Sequence, residues 1–219
     1  MIPIQKSLPP NSLSQYRRDI NASYENMPSA VKEELRQSLL NEQGAICCYC
    51  MKRIKPEQSR IEHWHSQTEF PDEQLNYDNM MLACQGNEGQ TPSKEHCDVK
   101  KGDAPLKFNP SNPNHAPLLK PRYLNNGCIE SDDNEFNEQL NSVLNLNETM
   151  LKGNRKKVYE SVKQALTKKG WTLQTINGLT QKYQSRNNNE AKPFCGVVLY
   201  WLEKFRLRCV SQRVAERRG

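Results

Sequence analysis

Apolar positions recur at helical spacing near the start of the chain and again over its second half, and follow neither a helical nor a strand period for long in between. Val31, Leu35, Leu39 and Leu40 fall on one face of a helix expected from about Pro28 to Gln43. Pro28 suits a first turn, Glu33 and Glu34 favour the N-terminal half, and Gly44 is a good stop. Residues 1–25, broken by Pro3, Pro9 and Pro10, read as an arm or a loose helix. From about residue 131 the helical pattern returns. One helix is expected over Glu148–Lys169, with Asn147 as a possible cap, Gly153 weakening its first turns and Gly170 ending it. A second is expected over Thr172–Tyr183, interrupted by Gly178. A third runs from Pro193 to about Arg208 and buries Phe194, Val197, Val198, Trp201, Leu202 and Phe205. Gln184–Ala191 reads as a polar linker.

The stretch between is built from short pieces. Ala45-Ile46 and Ser59 to Trp64 read as two strands around a knuckle, Cys47-Cys48-Tyr49-Cys50. Residues 65–78 are a polar loop containing Pro71. Asn79 to Ala83 is an apolar segment leading into Cys84, and residues 85–96 are loop by composition. Cys97 opens a helical turn, Asp98 to Lys101, stopped by Gly102. Residues 103–126, rich in proline and asparagine, are expected to wrap a surface without much regular structure. The expected class is α+β. It comprises an N-terminal arm and helix over 1–43, a small core over 44–112, and a linker with a mostly helical region over 113–219.

Composition changes this picture in one respect. Of 219 residues, 35% are hydrophobic and only 7% aromatic, so the core is thin for the length and would gain from a structural metal. The net charge of +6 suits a polyanionic partner without requiring one. The longest apolar run, Val197 to Leu202, has six residues, against the roughly 20 that a membrane span needs. MIPIQKSLPP lacks the apolar stretch of a signal peptide, so a cytoplasmic location is expected. In a reducing compartment eight cysteines read as metal ligands and buried thiols rather than disulfides.

Cys47-x-x-Cys50 has the spacing of a zinc knuckle, in which both thiolates of a tight turn point at one ion. Cys84 and Cys97, twelve residues apart inside, complete a four-thiol set, since the loop between them need only return to the metal. Cys48 is an alternative to Cys47, and His96 to Cys97. Cys128, Cys195 and Cys209 have no paired spacing and read as buried thiols. Inside this frame lies Ile61-Glu62-His63-Trp64. A histidine can activate water, and a divalent cation on a neighbouring carboxylate can stabilise charge on a phosphate. Neighbours on a regular strand face opposite sides, so Glu62 and His63 share a site only if the strand ends there.

The linked motifs ICCYCMKRI, SRIEHWHSQ, LNYDNMMLACQGNEGQ and HCDVKKGD together resemble an HNH (ββα-metal) nuclease, of the PtuB-like family found in retron and Septu-type anti-phage defence. The resemblance covers about residues 44–110. It implies a ββα-metal core in which His63 is the general base, Glu62 and Asp98 hold a catalytic Mg²⁺ or Mn²⁺, Asn79 holds the loop that orients His63, and Lys101 contacts a phosphate. It also implies a nucleic-acid substrate and an ABC-type ATPase partner, with a reverse transcriptase and its RNA–DNA product in retron systems. DNA is the commoner target of such sites; RNA, including tRNA, is the other. Two positions depart from the pattern. Asp98 stands where histidine or asparagine is usual, and remains a competent hard-metal ligand; it also suits a helix cap. Ser66 stands where proline is frequent.

His65 is close enough to assist but reads better as an exposed loop histidine, and His115 has no evident partner. The basic residues Arg155, Lys156, Lys157, Lys168, Lys169, Arg206, Arg208, Arg213, Arg217 and Arg218 read either as phosphate contacts or as solvated helix faces. The competing reading of the whole chain is a zinc-dependent adaptor that binds nucleic acid or protein without catalysis.

Overall fold

The computed structural model describes residues 1–216, with side chains described through Ser211. Arg213, Arg217 and Arg218 therefore lie outside the described side chains. Helix α1 (Asn11–Tyr16) buries Leu13, and α2 (Ser29–Gln43) buries Leu35, Leu39, Leu40 and Gln43. Gly44 ends α2 with φ 63°. A Cβ there would also stand 2.7 Å from the Ala191 backbone nitrogen, so the turn demands glycine for conformation and for space.

Gln43 is polar yet buried, because it pairs as a strand would. Its amide donates to the carbonyls of Ile46 (2.9 Å) and Leu82 (2.8 Å) and accepts from the Leu82 N–H (2.7 Å). It thereby ties α2 to a two-stranded antiparallel sheet, β1 (Ser59–His63) and β2 (Met80–Cys84). The register pairs Ser59 with Cys84 and His63 with Met80. All five β2 residues are buried, as an apolar strand covered on both faces must be. The expected first strand at Ala45-Ile46 is only a single bridge, Ile46 to Arg53: the knuckle turns the chain too soon for a ladder. The loop 65–78 carries two 3₁₀ turns, Pro71–Glu73 and Tyr77–Asn79. Helix α3 (Cys97–Lys101) follows the 85–96 loop.

The 103–126 segment packs by turns and enters a small hairpin, β3 (Arg122–Tyr123) and β4 (Ile129–Glu130). Helix α4 (Asn134–Ser142) is capped by Asp133, which accepts from the Phe136 N–H (2.9 Å). Helix α5 (Thr149–Lys169) is capped by Glu148, not Asn147. The Asn147 side chain is already spent: it accepts from Ile129 N–H (2.8 Å) and donates to the Ile129 carbonyl (2.9 Å), joining β4 to α5. Gly153 and Gly178 do not interrupt α5 or α6 (Leu173–Gln184), and α7 (Cys195–Glu216) runs past the expected end.

The N-terminal arm is not loose. Met1 and Ile4 are buried, and the Met1 amine donates to the Tyr123 hydroxyl (2.6 Å). The main apolar cluster therefore runs from Met1 and Leu35 through the cysteines to Phe136, Leu151 and Val197, across both expected boundaries at 43/44 and 112/113. A second cluster, Val162, Leu166, Ile176, Val198, Leu202 and Phe205, belongs to α5–α7. The fold is mixed α+β and rich in helix. Among the described residues no helix is long and apolar enough to cross a membrane.

Candidate functional site

The knuckle, the end of β2 and the start of α3 bring Cys47, Cys50, Cys84 and Cys97 together. Their sulfurs lie within 4.8 Å of one another, and all four residues are buried. The Cys47–Cys97 and Cys50–Cys84 separations are 3.8 and 3.7 Å. A zinc tetrahedron with bonds of about 2.3 Å has sulfur–sulfur edges of about 3.8 Å, whereas a disulfide needs about 2.05 Å. The four thiols could therefore hold a structural zinc. Burial works against a thiolate at Cys47, but hydrogen bonds from Cys48, Cys50, Cys84 and Cys97 outweigh it and hold that thiol well below its ordinary value.

The alternatives resolve in favour of Cys47 and Cys97: Cys48 lies outside the cluster, and His96 stands beside it, with Nδ1 3.2 Å from the Cys97 sulfur. Cys97 adopts φ 58°, a costly conformation for a non-glycine residue, held by its N–H on the Leu144 carbonyl (2.9 Å). Of the unpaired cysteines, Cys195 is buried, while Cys128 and Cys209 are only partly so.

Strand β1 ends at His63, and the chain then turns, with Trp64 N–H on the Asn79 carbonyl (3.0 Å). Glu62, His63 and Asp98 line one cavity of about 320 Å³ between the end of β1 and α3. Glu62 is 1% exposed and accepts from the Tyr49 hydroxyl (2.7 Å). Burial, and then the adjoining Asp98 carboxyl, push its own carboxyl well above the usual range. A buried carboxylate, Glu62, beside a half-buried one, Asp98, at the wall of a cavity open to solvent is a donor set that a hard divalent cation fits, with water or phosphate completing its shell.

His63 Nε2 lies 2.9 Å from the Gln74 carbonyl. A carbonyl only accepts, so this nitrogen carries the hydrogen and Nδ1 keeps a lone pair, facing the Gln67 amide at 3.3 Å. Burial pulls the His63 pKa below its ordinary value, which favours this neutral form. Asn79 staples the loop behind it: Oδ1 accepts from His65 N–H (2.8 Å), and Nδ2 donates to the carbonyls of His65 (2.9 Å) and Glu73 (3.3 Å). In the position where proline is frequent, Ser66 closes a turn through its carbonyl to Phe70 N–H (2.9 Å).

No protein-family model matches the chain, and a search of curated proteins finds no match.

Several expected roles change with this geometry. Lys101 is 3% exposed, stands 3.1 Å from Glu62 and donates to the His63 carbonyl (3.0 Å). It braces the site from behind and is not presented to a phosphate. Asp98 makes no side-chain cap on α3; its Oδ2 accepts from Arg60 (2.7 Å). His65 pairs with Glu73 (2.9 Å), and His115 accepts from the Asn109 N–H (2.9 Å) and packs edge-on to Trp64 and Phe108. Arg155 is buried and holds the carbonyls of Gly127 and Leu146, so it leaves the basic surface. Arg60, Tyr49 and Gln67 were not anticipated. Only Arg60 had a local signal: two residues before Glu62, it shares that residue's side of β1.

Proposed function

We propose that the chain is a metal-dependent HNH (ββα-metal) endonuclease, the effector of a retron- or Septu-type anti-phage system, working with an ABC-type ATPase. One observation carries this reading: Glu62, His63 and Asp98 line a single cavity, and the tautomer of His63 leaves Nδ1 a basic acceptor, met only by the Gln67 amide at 3.3 Å. Strand β1 and helix α3 line that cavity and β2 pairs with β1, which supports the ββα arrangement the motifs imply.

Glu62 and Asp98 would hold Mg²⁺ or Mn²⁺, which supplies neutralisation of charge on the phosphate and on the leaving oxygen. His63 Nδ1 removes a proton from water, whose oxygen bonds to phosphorus as the P–O bond to the departing strand breaks. The Gln74 carbonyl keeps the ring in register and takes up part of the imidazolium charge. Asn79 holds the loop that carries that carbonyl. Lys101 and Tyr49 keep Glu62 in one rotamer. Zinc on the four cysteines is structural. DNA is the favoured substrate class and RNA, including tRNA, the alternative.

The adaptor reading draws on a specific observation: both carboxylates already have cationic neighbours, Glu62 in Lys101 and Asp98 in Arg60. Cleavage of DNA and total RNA, with Mg²⁺ or Mn²⁺ and the co-encoded ATPase, separates the two. The parent should cut, and His63→Ala should fold, keep its zinc and its partner, and lose cutting. Equal cleavage by His63→Ala would remove the catalytic assignment.

A further inference from the structure

The segment 17–28, between α1 and α2, brings Tyr24 against His63. The two ring centroids are 4.7 Å apart and the rings stand nearly perpendicular, at 87°. Tyr24 does not line the cavity shared by Glu62, His63 and Asp98, so it meets the histidine from outside the space a phosphate would enter. The same residue holds the other partner of that ring. Its N–H donates to the Gln74 side-chain oxygen Oε1 (2.9 Å), while the Gln74 backbone carbonyl takes the His63 Nε2 hydrogen (2.9 Å). Tyr24 therefore reaches His63 twice, through its ring and through the residue whose carbonyl sets the tautomer.

Tyr24 is itself anchored from both neighbouring helices. The Tyr16 hydroxyl of α1 donates to the Ser23 carbonyl (2.8 Å) and accepts from the Ser23 N–H (3.2 Å). The Ser23 hydroxyl accepts from the Asn26 N–H (3.1 Å) and closes the turn that follows. From α2, the Lys32 ammonium lies 4.9 Å from the centre of the Tyr24 ring, a cation–π contact, and donates to the Glu25 carbonyl (3.4 Å). None of these contacts uses the Tyr24 hydroxyl.

A general base must aim its lone pair at the attacking water, and small errors of aim are expensive. The ring torsion of a histidine is intrinsically soft. Nε2 lies across the ring from Cγ, so its hydrogen bond alone restrains rotation about Cβ–Cγ only weakly, and that rotation swings Nδ1. The Gln67 amide cannot supply the restraint, because it occupies the lone pair that water must take. A second ring packed at right angles can. We propose that Tyr24 is a positioning residue for the candidate base: with Gln74 it locks the His63 ring so that Nδ1 stays on the side of Gln67, at the cavity. The inference rests on the nuclease reading and makes the N-terminal segment part of its active site.

Two readouts test it on the full-length, zinc-loaded protein. The first is a long-range ¹H–¹⁵N spectrum without other divalent metal at fixed neutral pH, in which the chain has only four histidines and His63→Gln assigns the signal. The parent should show His63 protonated on Nε2. Tyr24→Ala should move these signals toward a mixture of tautomers, and Tyr24→Phe should not. The second is cleavage of plasmid DNA and total RNA with Mn²⁺ and the co-encoded ATPase. Tyr24→Ala should lower the maximal rate by about 10- to 100-fold with half-saturation unchanged, and Tyr24→Phe, which keeps the ring and the N–H, should restore it. Gln74→Ala removes Oε1 but keeps the carbonyl. It should lower the rate too, and the double variant should lose less than the two losses combined. Melting shows which variants fold, and Gln74→Ala carries both readouts if Tyr24→Ala does not. Parent-like signals and rate in the folded variant would overturn the proposal. So would a loss that Tyr24→Phe fails to restore, since the hydroxyl would then be the acting group. A parent that cuts neither nucleic acid rejects the nuclease reading, while the spectrum still decides whether Tyr24 sets the ring. A parent that cuts, with signals and rate indifferent to Tyr24, rejects this inference alone.

Discussion

The cysteine-framed segment, residues 45–101, and the bundle of α5, α6 and α7 are held together by different means. The bundle has three long helices closing on Val162, Leu166, Ile176, Val198, Leu202 and Phe205, a core in which burial of apolar area supplies the stability. The framed segment has two five-residue strands and a five-residue helix, too little regular structure to stand on its own. Its interior also contains Glu62, His63 and Lys101, each of which costs free energy to bury. Zinc on the four converging thiols, which could hold it, would offset that cost. The contrast is that the buried polar groups Glu62, His63 and Lys101 sit beside four thiols that could hold zinc, inside the main apolar cluster, while α5–α7 close on a purely apolar core of their own.

Removing zinc breaks the comparison most completely. Structural zinc contributes about 10–16 kcal/mol in isolated zinc-finger peptides, more than the whole stability of most domains. One zinc per chain should be found by metal analysis. A strong chelator, or Cys50→Ser, should melt the framed segment while much of the helical circular dichroism from α5–α7 persists. A chain purified without zinc, whose melting is indifferent to chelator, would show that ordinary packing holds both regions.

Next in size is His63→Ala, expected to lower cleavage by about 10²- to 10⁴-fold with zinc retained. The pH profile sharpens it. As the proposed base His63 would act in its neutral form, and its pKa lies below the ordinary 6.5 because burial disfavours the cation. Cleavage should therefore hold steady as pH falls through 6.5 and decline only at more acid values. A decline centred above 6.5 would point to another group. Leu202→Ala is the matching lesion in the bundle. Leu202 is buried in the second cluster, and the cavity left should cost about 2–5 kcal/mol in chemical denaturation, with zinc content unchanged. Loss of zinc from this variant would mean that the two regions unfold as one.

Asn79→Ala has a smaller expected cost. It leaves the His65 N–H and the His65 and Glu73 carbonyls without their partner, about 1–3 kcal/mol, and frees the loop that carries Gln74. Cleavage should fall with little change in substrate affinity. A fall in affinity alone would make Asn79 part of the binding surface instead.

The two regions also differ in how far they were legible. Helices α2, α5 and α6 follow from local period and stop signals, and were misjudged by only a residue or two at their ends. The cap of α5 was assigned to Asn147 because nothing local shows that its amide is taken by Ile129, eighteen residues away. In the framed segment the identity of the zinc-type ligands was readable from spacing, and the convergence of Glu62, His63 and Asp98 from linked motifs. Burial was not. Lys101 and Arg155 looked like surface cations, and only the folded chain turns one toward Glu62 and the other toward the Gly127 carbonyl. Aromatic stacking of Trp64, His65 and Phe70 was equally hidden, since it requires the 65–70 loop to double back.

The finest distinction rests on Arg60. Its guanidinium bridges Asp98 at 2.7 Å and Glu88 at 2.6 Å while 43% exposed, so solvent screens both pairs. Exposed pairs contribute about 0–1 kcal/mol, and Arg60→Gln should change the melting stability by no more than that. Its effect on metal should have the opposite sign. In the present arrangement Arg60 neutralises the carboxylate that a divalent cation would have to take, so the two compete for Asp98. Losing the arginine should tighten Mn²⁺ binding by up to about fivefold, the equivalent of the same 1 kcal/mol. Titration of Mn²⁺ into the zinc-loaded protein measures this without any turnover. Weaker Mn²⁺ binding in Arg60→Gln would mean that the guanidinium helps to orient Asp98 for the cation. No change would place the cation away from Asp98, and with it the division of labour between the two carboxylates would have to be redrawn.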